Sequence, residues 1–209
     1  MRTPSIHGAG RILAIGILAL LVVPWAGCSS SKKVTRIETD TTVDLSGRWN
    51  DTDSREISDE MILDCLSGSW LVEHATKAAK RPTIIVGAVR NQSLEHIPSG
   101  TFIADIERAL VNSGKVDVVA TAAERIDLRA EKDDQWANAS EETIKERGIE
   151  QGADYMLSGT VQSIEDKEKG TKVVFYQVDL TLLDILSNRK AWIGQKKIKK
   201  VISQGSYSP

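Results

Sequence analysis

The chain has 209 residues, 41% hydrophobic and 27% charged, which is enough to bury one core and too apolar for a disordered protein. With 27 Lys and Arg against 29 Asp and Glu, the net charge is -2, so the basic stripe needed to bind a phosphate backbone is missing and nucleic acid is excluded as a partner class. Two cysteines in unlike surroundings, Cys28 and Cys65, do not make a disulfide framework, and three histidines leave little for a metal site.

Arg2, His7 and Arg11 precede an uncharged apolar run, Ile12 to Ala26, that stops at Gly27-Cys28. This is the layout of a signal peptide over residues 1–27, since the run is shorter than the roughly 20 apolar residues a spanning helix needs. Trp25-Ala26-Gly27-Cys28 resembles the bacterial lipobox, with Trp25 where an aliphatic residue is usual. That resemblance implies cleavage before Cys28 and acylation of the new amino terminus with diacylglycerol and an N-acyl chain. Ser29, in place of the Asp that resembles an inner-membrane retention signal, implies delivery to the outer membrane. Several acyl chains, each buried CH₂ contributing about 0.8 kcal/mol, make such an anchor stable. Losing residues 1–27 removes two arginines and no acids, leaving 25 basic against 29 acidic residues.

Residues 28–46 read as the lipidated cysteine and a flexible tether, with a root-mean-square span of about 25 Å for 18 flexible residues. A globular domain is expected over 47–203, with a short tail at 204–209. Asp51 to Ser54 offers capping oxygens, and Ile57, Met61, Ile62, Cys65 and Leu66 follow at helical spacing, predicting a helix from about 54 to 66. After Ser67-Gly68 the stripe resumes through Trp70, Leu71 and Ala75 until Arg81-Pro82 ends it. Cys65, in a dense apolar stretch, is expected to be buried and chemically idle.

Thr83 to Val89 is a continuous β-branched run and predicts a strand covered on both faces. After an expected loop over 90–100, Phe102, Ile103, Ile106, Ala109 and Leu110 repeat at helical spacing up to Ser113-Gly114. Val116 to Val119 is a short strand, and Thr121 and Glu124 have capping-box spacing. Glu124 to Asp134 is so charged that it predicts a solvated helix or an exposed loop, with 131–140 presented as loop. Ser140 is expected to open another helix, with Glu141 and Glu142 in its first turn and Gly152 at its end. From 154 to 201 the alternation of apolar and polar residues, broken at Lys169-Gly170 and Ser187 to Arg189, predicts an antiparallel three-stranded meander. Its last strand carries Lys196, Lys197, Lys199 and Lys200, the composition of a protected sheet edge. The class expected is α/β (α+β), a single domain with a mixed sheet ending in that meander and helices packed on it.

No phosphate loop, CxxC, HExxH or GxSxG motif occurs. His74 sits on a helix between Glu73 and Lys77, and His96 in the expected 90–100 loop. A lone histidine of this kind is more often exposed or hydrogen-bonded than catalytic, and the neighbouring carboxylate pairs lie on solvated runs instead of facing across a cleft.

Three pieces in order, Asp44 to Ser54 (DLSGRWNDTDS), Val86 to Asn91 (VGAVRN) and Glu107 to Lys115 (ERALVNSGK), resemble the LpoB-type lipoprotein activators of penicillin-binding proteins. Gly152 to Gly159 and Ala191 to Lys196 are similar to the late strands of that family, so the resemblance spans about residues 44–201. It implies a compact α/β domain on an outer-membrane lipid anchor, at the periplasmic face. Such a domain docks on a bifunctional peptidoglycan synthase and stimulates it, with no chemistry, cofactor or small-molecule substrate of its own. Better-known members carry a long proline-rich tether, whereas the first proline after residue 28 here is Pro82. A rival reading is a structural subunit of an outer-membrane envelope or secretion assembly. The docking surface is expected on exposed loops, with Arg90, Asn91, His96 and Trp136 as the contact residues.

Overall fold

The computed structural model describes residues 33–39, 41–140 and 150–203. The chain divides between Thr39 and Asp40. Residues 33–39 form no helix or strand, and the elements of the described residues all lie within 41–203. The expected signal peptide with Cys28, residues 141–149 of the helix expected from Ser140 and the tail 204–209 lie outside the described residues.

Helix α1 (Asp51–Ser67) starts three residues earlier than the expected 54 because Asn50 is its cap. The Asn50 side chain accepts from Asp53 N–H, and Asp53 Oδ2 accepts from Asn50 N–H, a reciprocal box that satisfies two otherwise unpaired donors. Gly68, extended at φ -67°, breaks the helix before α2 (Ser69–Ala78), which ends on Ala79 in the left-handed conformation. Strand β1 (Thr83–Gln92), helix α3 (Ser99–Ser113), strand β2 (Asp117–Val119) and helix α4 (Ala122–Asn138) come next along the chain. Gly114, at φ 63°, closes α3, as the Ser113-Gly114 pair predicts. Strands β3 (Tyr155–Glu168), β4 (Thr171–Asp184) and β5 (Lys190–Ser203) complete the chain.

The five strands form one sheet in the order β2-β1-β3-β4-β5. The β1 pairs with β2 and β3 are parallel, and β3-β4-β5 is the expected antiparallel meander. The β3–β4 turn takes two residues of positive φ, Lys169 and Gly170, which matches the twist of the flanking strands.

Helices α1 and α3 lie side by side on one face of this sheet, α1 toward β5 and α3 toward β1 and β2. The core is therefore one layer: Ile57, Met61, Ile62, Cys65, Phe102, Ile106 and Leu110 from the helices meet Val174, Tyr176, Val178, Leu180 and Leu182 of β4. Trp49 joins them, its ring edge-on to both Phe102 and Tyr176 and its indole N–H donating to Ser54 Oγ at 2.8 Å. Leu180 lies between Gly159 and Gly194 on the neighbouring strands. A Cβ at Gly159 would overlap Leu180 and the Asp179 carbonyl, and one at Gly194 would overlap Trp192. The Cys65 thiol is buried and, by that burial first and by Asp64 second, pushed up to about 12, so it stays protonated and inert as expected.

Three expectations need correction. The β1 run is packed on one face only: Ile84, Val86 and Val89 are buried, but Ala88 and Arg90 are exposed, because the helices occupy a single side of the sheet. The strand also continues through Gln92, held by pairing with β3 as far as Gln162, so Arg90 and Asn91 belong to it and not to a loop. Residues 131–138 are likewise helix, the second half of α4.

The lysines of β5 do lie on a sheet edge, but alternate ones turn inward. Lys196 pairs with Glu60 of α1. Lys200 Nζ lies 2.7 Å from both Asp44 and Asp53 and 3.2 Å from the Arg48 carbonyl, with only 11% of its side chain exposed. Burial alone would pull the Lys200 ammonium down; the hydrogen bonds and charges of Asp44 and Asp53 outweigh it and hold it above its ordinary value. The Lys200 hydrogen bond in turn holds the Asp44 carboxyl low. Both shifts stabilise the folded state across the neutral range. The Asp44 contribution is lost as pH falls through the carboxylate range, and the Lys200 contribution as pH rises beyond the ordinary lysine value.

Replacing Lys200 strands the nearly buried Asp53 carboxylate. The variant K200M is expected to unfold more easily by about 2–3 kcal/mol, below the full cost of breaking a wholly buried pair because Asp44 stays in water. Urea unfolding monitored by circular dichroism checks this, and a midpoint equal to that of the parent refutes it.

Candidate functional surfaces

With α1 and α3 on one side, no helix or strand of the described residues in 41–203 packs on the other face of the sheet. Its central row runs across four strands as Arg90, Thr160, Asp179 and Gln195, each paired in register with the next. The Asp179 carboxylate accepts from Gln177 at 2.7 Å and from Gln195 at 2.8 Å, so the polar ladder is held by its own hydrogen bonds. Arg90, Met156, Thr160 and Asp179 border a shallow depression of about 380 Å³. The same face also carries the exposed apolar side chains Ile164 (67% exposed), Ile193 and Val201.

The four expected contact residues do not converge. Arg90 faces the open side of the sheet, whereas Asn91, the next residue along the strand, faces the helical side. Asn91 builds the turn after the strand: its Nδ2 donates to the Glu95 carbonyl at 2.7 Å, and its Oδ1 accepts from Ser93 N–H and Oγ. His96 is exposed beside the buried Ile97. Trp136 is 51% exposed near the end of α4.

Helix α4 has no buried residue. Thr121 and Glu124 form the capping box that their spacing predicts, and the hydrogen bonds from Thr121, backbone first, hold the Glu124 carboxyl low. Arg129 grips Glu150 through two parallel bonds of 2.8 Å, and Arg125 reaches the same carboxylate at 4.0 Å. The Arg129 hydrogen bond is the main reason the Glu150 carboxyl is held low.

At the other end of β3, His74 of α2 is buried and shares a 3.2 Å hydrogen bond between its Nδ1 and the Tyr155 hydroxyl. The Tyr155 ring packs edge-on to Trp70. Asp154 is the junction: its Oδ2 accepts the Thr83 N–H at 2.9 Å, its Oδ1 lies 3.5 Å from Lys80, and its carbonyl accepts from Ile185 N–H. This cluster floors a cavity of about 450 Å³ between α2, the start of β3 and the β4–β5 turn. Nothing in the local sequence marks it, because His74 and Tyr155 are 81 residues apart.

Among the described residues no group of three or more His, Cys, Asp or Glu side chains could hold a metal ion, and no helix is long and apolar enough to cross a membrane. Residues 53–198 match the model of the family described as peptidoglycan-synthase activator LpoB. The chain belongs to the LpoB family. It is thereby an activator of peptidoglycan synthesis and a regulator, not an enzyme, as the resemblance implies.

Among solved structures, this LpoB-family chain is similar to the LpoB C-terminal domain from Salmonella enterica, with 14% identity over 70% of this chain and 98% of that one and a TM-score of 0.40. The LpoB C-terminal domain from Escherichia coli is 15% identical over 70% of this chain and 98% of that one, at a TM-score of 0.35. Lipoprotein GNA1162 from Neisseria meningitidis is 17% identical over 60% of this chain and 88% of that one, at 0.37. No curated protein matches the chain.

Both depressed carboxyls of the α4 region give stability that is present above the ordinary glutamate value of 4.5 and lost as pH falls below it. Since α4 buries nothing, its amides are expected to lose hydrogen-exchange protection on acidification before those of β4 do. Exchange measured at pH 7 and at about pH 3.5 checks this; equal loss in α4 and β4 contradicts it.

Proposed function

We propose that this LpoB-family chain is an outer-membrane lipoprotein, anchored at the periplasmic face through acyl chains on Cys28, whose folded domain binds and activates a bifunctional penicillin-binding protein. The observation that carries this reading is the family match over residues 53–198, which spans nearly the whole folded domain. The lipobox-like Trp25 to Cys28 supports the anchor. On the domain, the open sheet face around Arg90 is the better docking candidate of the expected contacts. It offers a charged side chain, a hydrogen-bonded polar row and scattered apolar groups on a rigid strand scaffold. Asn91, on the opposite side of the strand, holds the Ser93–Pro98 loop, and His96 is exposed on that loop. Trp136 is a separate contact on α4.

Glycan-strand synthesis by each purified bifunctional penicillin-binding protein of the organism, with and without residues 44–209, tests the activity. Stimulation of one of them is expected, with R90A reducing it about tenfold if Arg90 is a contact of hot-spot strength. No stimulation of any by a folded domain refutes the reading. The anchor is tested apart from it. C28A is expected to lose metabolic labelling by palmitate and to leave the membrane fraction, and a labelled C28A refutes lipidation at that residue.

A further inference from the structure

The cavity floored by His74 and Tyr155 belongs to no part of the open sheet face, and its chemistry selects a ligand. Three carboxylates line it, Glu73, Asp154 and Asp184, against two cations, Lys77 and Arg189. None of the three is tightly paired. Glu73 lies 3.8 Å from Arg189, and Asp154 lies 3.5 Å from Lys80. Asp184 has no ion pair among the described residues; it accepts the Ser187 N–H at 2.8 Å, and the backbone hydrogen bonds of that turn hold its carboxyl low. The Tyr155 phenol is pushed up by burial first and then by Asp184, Asp154 and Glu73, with Arg189 opposing, which agrees with a lining that holds three carboxylates against two cations.

The floor also has unused hydrogen-bonding capacity. His74 Nε2 makes no hydrogen bond among the described residues and stands 3.9 Å from Asp154. Whichever way the proton of the His74–Tyr155 bond points, the phenol oxygen keeps a lone pair for a further donor. The mouth is apolar: Leu186, 95% exposed, and Ile185 stand on the β4–β5 turn beside it. An acidic, partly desolvated floor below an apolar rim suits a cation on an aliphatic stem, because the stem covers the rim while the head meets the carboxylates.

Resting on the proposed activator function, the geometry points to this cavity as the seat of a lysine or arginine side chain of the peptidoglycan synthase. The stem lies against Ile185 and Leu186, and the head sits between Asp184, Glu73 and the Tyr155 oxygen. Lys77 and Arg189 both oppose the occupant; Arg189 already lies beside Glu73, so Lys77 is the cation whose removal gives the proposal its sign.

The test uses the full chain purified in detergent and the synthase it stimulates, with affinity measured at low and high salt. E73Q and D184N are each expected to weaken binding about 5- to 10-fold, with L186A also weaker and K77A tighter, since one charge contact of this kind is worth about a tenfold change in affinity. E73Q is decisive, because Glu73 holds no backbone turn whereas Asp184 does. Unchanged affinity in E73Q, or weaker binding by K77A, overturns the inference while leaving the activator reading intact.

A second arm needs no synthase. The chain is titrated with N-acetylarginine methylamide and, separately, with N-acetylglutamate methylamide, and its amide resonances are monitored. Shifts at 153–155 and 184–189 with arginine alone, lost in D184N, support the cation site even if no synthase binds. Equal shifts from both compounds, or none from either, overturn it.

Discussion

The arrangement of this domain stems from one constraint: among the described residues its sheet is covered on a single face. An antiparallel meander can leave one side to water, and β3-β4-β5 does so, with Val174, Tyr176, Val178, Leu180 and Leu182 inward and Gln177, Asp179 and Thr181 outward. Parallel strands usually cannot, yet β1 joins the same sheet and must accept the same exposure. It does so by carrying Ala88 and Arg90 on the open side and by slipping its register on β3 between Val86 and Val89. The slip returns Val89 to the core and allows the strand to extend to Gln92. The same constraint puts a rigid, solvent-facing polar row next to the depression around Arg90, so the face left without helices is the face available to a partner.

What the amino-acid sequence made legible is what depends on local period and local capping. The alternation over 174–182, the helical stripe of Phe102, Ile106 and Leu110, the Gly114 stop and the Thr121–Glu124 box all involve residues close in the chain, and all appear in the structure. The run Thr83 to Val89 misled because an uninterrupted β-branched stretch looks the same whether one face or two are covered. The missing information was how many helices pack, and where. The first helix begins at Asp51, capped by Asn50, because a capping box depends on one asparagine and one aspartate, and several residues nearby could have served. The four expected contacts were chosen as exposed polar or aromatic positions. All four are exposed, but strand alternation sends Asn91 to the opposite side from Arg90.

Contacts between residues distant in the chain were not legible, and they carry much of the electrostatics. Lys200 and Asp53 are 147 residues apart, and only the fold brings β5 over the first turn of α1. Their pairing gives the lysines of the last strand two separate tasks. Lys197 and Lys199 face outward and discourage another strand from adding to the edge, while Lys196 and Lys200 tie that edge to α1. Because Asp44 shares Lys200, the segment leading into the domain is fastened at the same point.

Helix α4 is held together differently. A 17-residue helix with no buried side chain has little of the tertiary packing from which most helices in proteins draw their stability. It is kept helical by charge: a capping box at one end and a bidentate Arg129–Glu150 pair on its flank. Interactions of that kind are screened by salt and weakened by acid, unlike the apolar packing of α1 and α3. The domain therefore divides into a core held by hydrophobic burial and an arm held by exposed charges. Any partner that covers α4 would add the packing it lacks, so the arm is the element of this fold whose stability should respond most to binding.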